Sequence, residues 1–327
     1  MGSLAGRALT PFNFWPGMLE TTVAKSQPGL RTRYRYRLVD VFAERPFAGK
    51  PTAVFTDATG LDDRALQIIA RELNTPQTAF VFPSDIPEAQ AKVRIFTPVA
   101  ELPRAEQPTI ATVFALEAEE KLVRANAQSR VVLQQNDGPV SASYFARVMT
   151  VKQQLPEVVG VYPEPDAVAA ILGLTREDLL PAPLEALSSG VPYLMVPVRD
   201  ATRLRGARFR DAIWERTVRN FQAPHIAAFC LDPERSASLA KMRVFAPALG
   251  LREDPATEGA CGPLVAYALR HGLITLPATA AVTVEQGAEL GRPSFIQVVV
   301  THERGQVSEV RIGGQCQSVG EGTIVAP

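Results

Sequence analysis

With 327 residues, 46% of them apolar and 21% charged, the chain has room for two domains, each with a proper core. Lysine plus arginine balances aspartate plus glutamate at 34 each, so no net charge draws the chain to nucleic acid or to an anionic membrane. No apolar run approaches the roughly 20 residues of a membrane helix, no signal-peptide core opens the chain, and Cys230, Cys261, Cys316 and the three histidines lack metal-ligand spacing. A cytoplasmic protein without a structural metal or a disulfide framework is expected.

Residues 1–33 form no clear element. Pro11, Pro16, Pro28 and Gly29 break the segment, while Phe12, Phe14 and Trp15 leave it apolar enough to dock; it reads as an extension without a catalytic role. Arg31, Arg33, Arg35 and Arg37 alternate, as on the solvated side of a strand entry. From Tyr34 the pattern alternates and then turns continuously apolar, predicting a strand that moves into a core. A second strand follows the turn residues Pro46, Gly49 and Pro51. Asp62 then caps a helix with Leu66, Ile69, Ala70 and Leu73 on one face. Strands are predicted over 78–83 and 91–96, and a helix from Thr109 to about Lys121, started by Pro108 and packed through Ile110, Val113 and Phe114.

Two further strands, 130–135 and 140–151, join through Asp137-Gly138 as a hairpin. Gln154–Pro165, with three prolines and a glycine, reads as the linker to a second half. There a short helix opens at Thr175, a strand covers 192–198, and a helix over 210–221 places Trp214, Thr217, Val218 and Phe221 on one face. His225 sits in an apolar strand, the first of five that lead to the C-terminal region. One long helix per half against so many strands predicts sheets wrapped around a helix, not a doubly wound parallel sheet.

The chain also repeats itself. Phe96-Thr97-Pro98 echoes Phe245-Ala246-Pro247, and Leu102–Gln107 aligns with Asp254–Gly259. Each copy follows a strand-like run and leads into a helix-like one, about 150 residues apart. Two facing strand–loop–helix units would point two sets of free helix N–H groups into one cleft.

The segments LVDVFAERPFAGKPTAVF, IARELN, RIFTPVAELP, EDPAT, GPLVAYAL, ELGRPS and VRIGG resemble the phenazine-biosynthesis PhzF family in order and spacing, from about Tyr36 onward. The resemblance implies an α+β fold like that of diaminopimelate epimerase: two pseudo-symmetric domains, each a mostly antiparallel sheet curled around a central helix. Residues 34–153 with a return strand at 315–327 would form one domain and residues 154–314 the other. It also implies an isomerase that moves a proton on a small cyclic carboxylate or amino/imino acid without cofactor or metal, with a homodimer as the expected assembly and secondary metabolism as its setting.

The family's catalytic glutamate lies in a Ser-Glu-Thr-x-Phe motif, read here as Pro76-Gln77-Thr78-Ala79-Phe80, and Gln77 cannot exchange a proton near neutral pH. Ala-Gly-His-Pro-Thr becomes Ala105-Glu106-Gln107-Pro108-Thr109, and Asp-Pro-Ala-Thr-Gly-Ser-Ala becomes Asp254-Pro255-Ala256-Thr257-Glu258-Gly259-Ala260. Of the usual polar set Asp254 survives, as a base, a substrate holder or simply a turn former before proline. Gln107, Gly259 and Ala260 fall at substrate-binding positions.

Glu106 and Glu258 replace glycines at equivalent places. They read either as a two-base proton shuttle, as epimerases of this fold build with cysteines, or as two helix-start stabilisers worth about 0.3–1 kcal/mol each. Arg104 would pair with a substrate carboxylate or phosphate, or with Glu106 or Glu101. Gly313 and Gly314 would present N–H groups to a carboxylate or form a tight turn. Cys261 is either an activated thiol near a helix start or a small core residue, and His225 a satisfied core histidine. The functions expected are thus a rearranged isomerase, a catalytically inactive binding or regulatory protein, or a structural subunit. No cofactor, nucleic-acid or membrane partner is expected.

Overall fold

Tyr34, Tyr36 and Leu38 on alternate positions, giving way to the buried run Val39-Asp40-Val41, make Arg33–Val41 (β1) a strand whose burial deepens along its length. The computed structural model describes residues 32–122, 130–145 and 148–327. The predicted extension lies outside the described residues apart from its last two positions. The first half continues as β2 (Lys50–Phe55), α1 (Asp63–Leu73), β3 (Gln77–Phe82), β4 (Ala91–Phe96), β5 (Glu101–Leu102), α2 (Glu106–Ala118), β6 (Arg130–Gln135), β7 (Gly138–Phe145) and β8 (Val148–Gln153). The second half runs β9 (Glu157–Tyr162), α3 (Pro165–Ile171), β10 (Leu184–Ser188), β11 (Pro192–Pro197), α4 (Ala201–Gly206) and α5 (Asp211–Arg216). It ends with β12 (His225–Cys230), β13 (Ala240–Ala246), β14 (Leu251–Asp254), α6 (Glu258–Arg270), β15 (Thr279–Gln286), β16 (Ser294–Glu303), β17 (Gln306–Gly314) and β18 (Cys316–Val325).

The strands form one ladder. From β18 it passes through β1, β2, β3, β4, β6, β7 and β8, then crosses to β17 and returns through β16, β15, β13, β12, β11 and β10 to β9. Four pairs are parallel, β2–β3, β4–β6, β11–β12 and β13–β15; the rest are antiparallel. Both halves thus carry the same pattern. The last strand returns to the first half and pairs with β1 from Arg33↔Val325 to Val41↔Cys316.

Each half of the sheet curls around one 13-residue helix, α2 or α6. Both helices are apolar around most of their circumference, as a helix at the centre of a core must be. Ile110 and Val113 of α2 and Leu264 and Val265 of α6 are fully buried in one continuous core with Leu133, Val284 and Ile312. Truncating one of them, such as Leu264→Ala, costs about 2–5 kcal/mol. The α1 face is as predicted: Asp62 accepts the Ala65 N–H at 2.8 Å and Leu66, Ile69 and Ala70 are buried.

Four expectations change. The helix predicted from Thr109 begins at Glu106, because Pro108 is tolerated anywhere in the first turn, where N–H groups have no helical partner. The strand predicted over 140–151 is two strands, β7 and β8, paired to each other with Phe145 opposite Val148. The linker contains β9: its prolines bracket the β-prone EVVGVY run, which pairs on one side with β10. The helix expected over 210–221 stops at Arg216. There the Thr217 hydroxyl turns back to the Ile213 carbonyl at 2.8 Å.

Candidate functional site

The two strand–loop–helix units have the same construction. In the first, the Arg94 guanidinium holds Glu101 through two bonds of 2.8 and 2.7 Å and lies 5.3 Å from the Phe96 ring centre. In the second, Arg243 holds Glu253 through two bonds of 2.8 Å and lies 5.1 Å from the Phe245 ring. Neither central helix is capped by its own N-cap side chain. Instead Gln135, at the end of β6, accepts the Ala105 N–H at 3.2 Å, and Gln286, at the end of β15, accepts the Thr257 N–H at 2.9 Å. Each glutamine amide also donates to a threonine hydroxyl, Thr109 or Thr257, at 2.5 and 3.0 Å. Each helix start is thus pinned by the glutamine that ends a neighbouring strand, β6 or β15.

Glu106 and Glu258 are the first residues of these helices, and the two starts meet. The backbone amide of each glutamate lowers its own carboxyl, and the Gln107 amide of the opposing helix does the same at Glu258. Burial raises the Glu106 carboxyl to about 7, and the charge of Glu258 adds to the rise against the weaker pull of Arg104. Burial raises Glu258 too, against the field of Lys50 and with that of Asp254.

Asp254, buried at the end of β14, accepts the Lys50 ammonium at 2.8 Å and the Thr257 hydroxyl at 3.0 Å. Burial alone would depress the Lys50 ammonium; the charges of Asp254 and Glu258 outweigh it and leave the group raised. Tyr193 faces the same groups, and burial with the charges of Asp254, Glu258 and Glu106 pushes its hydroxyl well above the ordinary value. Asp254 is thus engaged by an ammonium. Among the described residues no group of three or more His, Cys, Asp or Glu side chains is placed to hold a metal ion.

Gln77 opens β3 beside Thr52, whose hydroxyl accepts from the Gln107 amide at 2.5 Å. The side-chain oxygens of Gln77 and Gln107 are buried without a hydrogen-bond partner. Gly259 and Ala260 lie in the first turn of α6. A Cβ on Gly259 would come within 3.6 Å of the Tyr193 hydroxyl, so that residue's backbone runs beside the phenol.

Arg104 lies 3.7 Å from Asp137 and its Nε is buried without a partner, while Glu101 belongs to Arg94. Gly313 and Gly314 are in neither a nest nor a tight turn. They end β17 opposite Thr150 and Met149, where a Cβ on Gly313 would stand 2.3 Å from the Met149 carbonyl. Their glycine identity lets the two halves of the sheet join. Cys261 is a core residue: burial and the charges of Glu258 and Asp254 raise its thiol, and its Sγ sits 3.4 Å from the Thr257 carbonyl. His225 is buried, lowered to about 4 by burial, and its Nδ1 has no partner, so it is less well satisfied than expected.

Sequence reasoning passed over Lys50, Tyr193, Gln135 and Gln286. A signal for them existed. Gly49-Lys50-Pro51-Thr52 repeats as Gly190-Val191-Pro192-Tyr193, both glycines having positive φ, and the strands β6 and β15 both end on glutamine.

The sequence matches the family described as phenazine biosynthesis-like protein, PhzC-PhzF, over residues 39–322. It is 33% identical over 309 residues to an uncharacterized isomerase of Mesorhizobium japonicum, covering 90% of this chain and 99% of that one. It is 32% identical over 294 residues to the trans-2,3-dihydro-3-hydroxyanthranilate isomerase of Pseudomonas aeruginosa, covering 88% and 98%. A PhzF family protein from Bacillus anthracis superposes with a TM-score of 0.82 at 22% identity, over 90% of this chain and 99% of that chain, and so shares the fold. With the family's pattern spanning nearly all the described residues, the repeated frame and the epimerase-like sheet have one explanation: the chain belongs to the phenazine biosynthesis-like PhzC-PhzF family, in which named isomerases are its relatives.

Proposed function

We propose that this chain is a cofactor-independent isomerase of the PhzF type that moves a proton on a small cyclic carboxylate or amino/imino acid, with Glu106 and Glu258 exchanging the proton. The observation that carries this reading is the meeting of two glutamates at the first positions of two equivalent helices, one close enough to raise the other. Two buried carboxyls that feel each other titrate jointly, the arrangement that lets one serve as acid while the other serves as base. The amides of the first turns serve a substrate carboxylate, and Tyr193 and the free oxygens of Gln77 and Gln107 orient its donors. In this reading residues 34–153 with the return strand and residues 154–314 are two domains that close on the substrate.

The test is solvent deuterium incorporation into cyclic amino and imino acids and into trans-2,3-dihydro-3-hydroxyanthranilate, with Glu106→Gln and Glu258→Gln alongside. Deuterium exchange or isomer formation lost in each variant supports the pair; both left unchanged in both variants makes the glutamates structural. The second reading, a binding protein without turnover, draws on Gln77 and Gln107, whose buried unpartnered oxygens suit a ligand donor. It predicts saturable binding of such acids with no exchange.

A further inference from the structure

The site contains a cation that the internal repeat does not provide twice. Lys50 follows Gly49, whose φ of +63° turns the chain into β2, and is 6% exposed. Its ammonium donates to Asp254 at 2.8 Å and to the Ala256 carbonyl at 3.1 Å, both on the segment that leads into α6. A charge so deeply buried is tolerated because it is paired and hydrogen-bonded across the two halves.

Strand registers identify its counterpart. Thr52 stands opposite Gln77 as Tyr193 stands opposite His225, and Thr78 opposite Phe96 as Ile226 opposite Phe245. Lys50 therefore corresponds to Val191, and Asp254 to Leu102. The matching pair in the other orientation is wholly apolar. The asymmetry falls between the two glutamates. Toward Glu258 come Lys50 from β2, Asp254 from β14, Tyr193 from β11 and the Gln107 N–H from α2. Toward Glu106 come Glu258, the same Tyr193, Arg104 and Asp137, the last two sharing an ion pair at 3.7 Å, and, among the described residues, no lysine.

We propose that Lys50 is a positioning residue that makes the glutamates unequal, holding Glu258 as the carboxylate that removes the substrate proton and leaving Glu106 as the carboxylic acid that delivers one. This rests on the proton-exchange reading above. The C–H bond on the Glu258 side breaks and its electron pair enters the ring unsaturation. The displaced double bond takes the Glu106 proton at its far carbon, so the product is an isomer of the substrate. Glu258 ends protonated and Glu106 ionised, and exchange with solvent resets both. The rise of Glu106 to about 7 agrees with its role as the acid.

Carboxyl 13C titration of glutamate-labelled protein tests the assignment without substrate. Glu106→Gln and Glu258→Gln identify the two signals. In the parent Glu258 titrates below Glu106. In Lys50→Met the Glu258 midpoint rises by about 1–3 units, the effect of losing a nearby opposite charge, and Lys50→Arg restores it. Lys50→Gln, which keeps a donor for Asp254, gives the same rise in a less disturbed fold and moves the acidic limb of the kcat/KM profile to higher pH. A Glu258 midpoint unmoved in either neutral variant, or Glu106 titrating below Glu258 in the parent, overturns the proposal. The two readings fail separately. Absent deuterium exchange with the titration order intact removes the turnover role and leaves the Lys50 pairing; exchange with an unmoved Glu258 removes Lys50 alone.

Discussion

At their outer ends the two repeats are interchangeable: Arg94 with Glu101 over Phe96, Arg243 with Glu253 over Phe245. At their inner ends they part. Beside α2 stand Leu102, Ala105 and Gln107; beside α6 stand Asp254, Thr257 and Gly259, with Lys50 reaching over from the first half. Positions that hold the frame have kept both copies alike, since each guanidinium is tied to a carboxylate that would otherwise be stranded. Positions that face the other helix have diverged, leaving one acidic residue common to both. What differs between the halves is therefore the place to look for direction in the chemistry.

The comparison breaks most sharply at the glutamates. Glu258→Gln is expected to lower deuterium exchange about 10²–10⁴-fold, the usual worth of a positioned acid or base. Glu106→Gln should keep exchange at the abstracted position while forming little isomer. Identical behaviour of the two variants would mean that the helix starts are chemically equal.

Next come the frame pairs. Removing one partner of a buried ion pair costs about 3–5 kcal/mol, so Arg243→Met, at a side chain 6% exposed, should lose that much in urea unfolding. Arg94→Met, at a side chain 19% exposed, should lose less. Equal losses would show that burial does not distinguish the two pairs.

A smaller effect concerns pH. Because Glu106 is raised in the fold, the folded chain holds its proton more tightly than the unfolded one, so stability falls as pH climbs from the ordinary carboxyl range through about 7. Relative to the parent, Glu106→Gln should gain stability between pH 5 and pH 8, by at most about 3 kcal/mol at roughly 1.4 kcal/mol per unit. Parallel stability curves would place the Glu106 carboxyl in solvent. The least change is expected from Gln77→Glu. It restores the family's acid beside Thr52, but the histidine and serine of the family set are still absent, and groups that act together are not additive. Turnover of trans-2,3-dihydro-3-hydroxyanthranilate gained from this substitution would show that a single residue separates the chain from its relative.

Much of the frame was readable along the chain because it depends on neighbours in sequence. The alternation in β1, the Asp62 cap, the α1 stripe and the Phe96 and Phe245 repeat are local patterns, and the alignment already put Glu106 and Glu258 in equivalent places. Where the pattern was interrupted, reading stopped short, as at the proline-bracketed β9 and at the turn between β7 and β8. The character of the site was decided elsewhere. Lys50 and Asp254 are 204 residues apart, and only the closing of the β2 strand against the α6 start brings ammonium and carboxylate together. The same holds for the Gln107 N–H at Glu258 and for the desolvation that raises Glu106. Residue types and spacing specify which groups a segment carries, whereas dielectric and charge pairing belong to the space between segments and exist once the chain has folded.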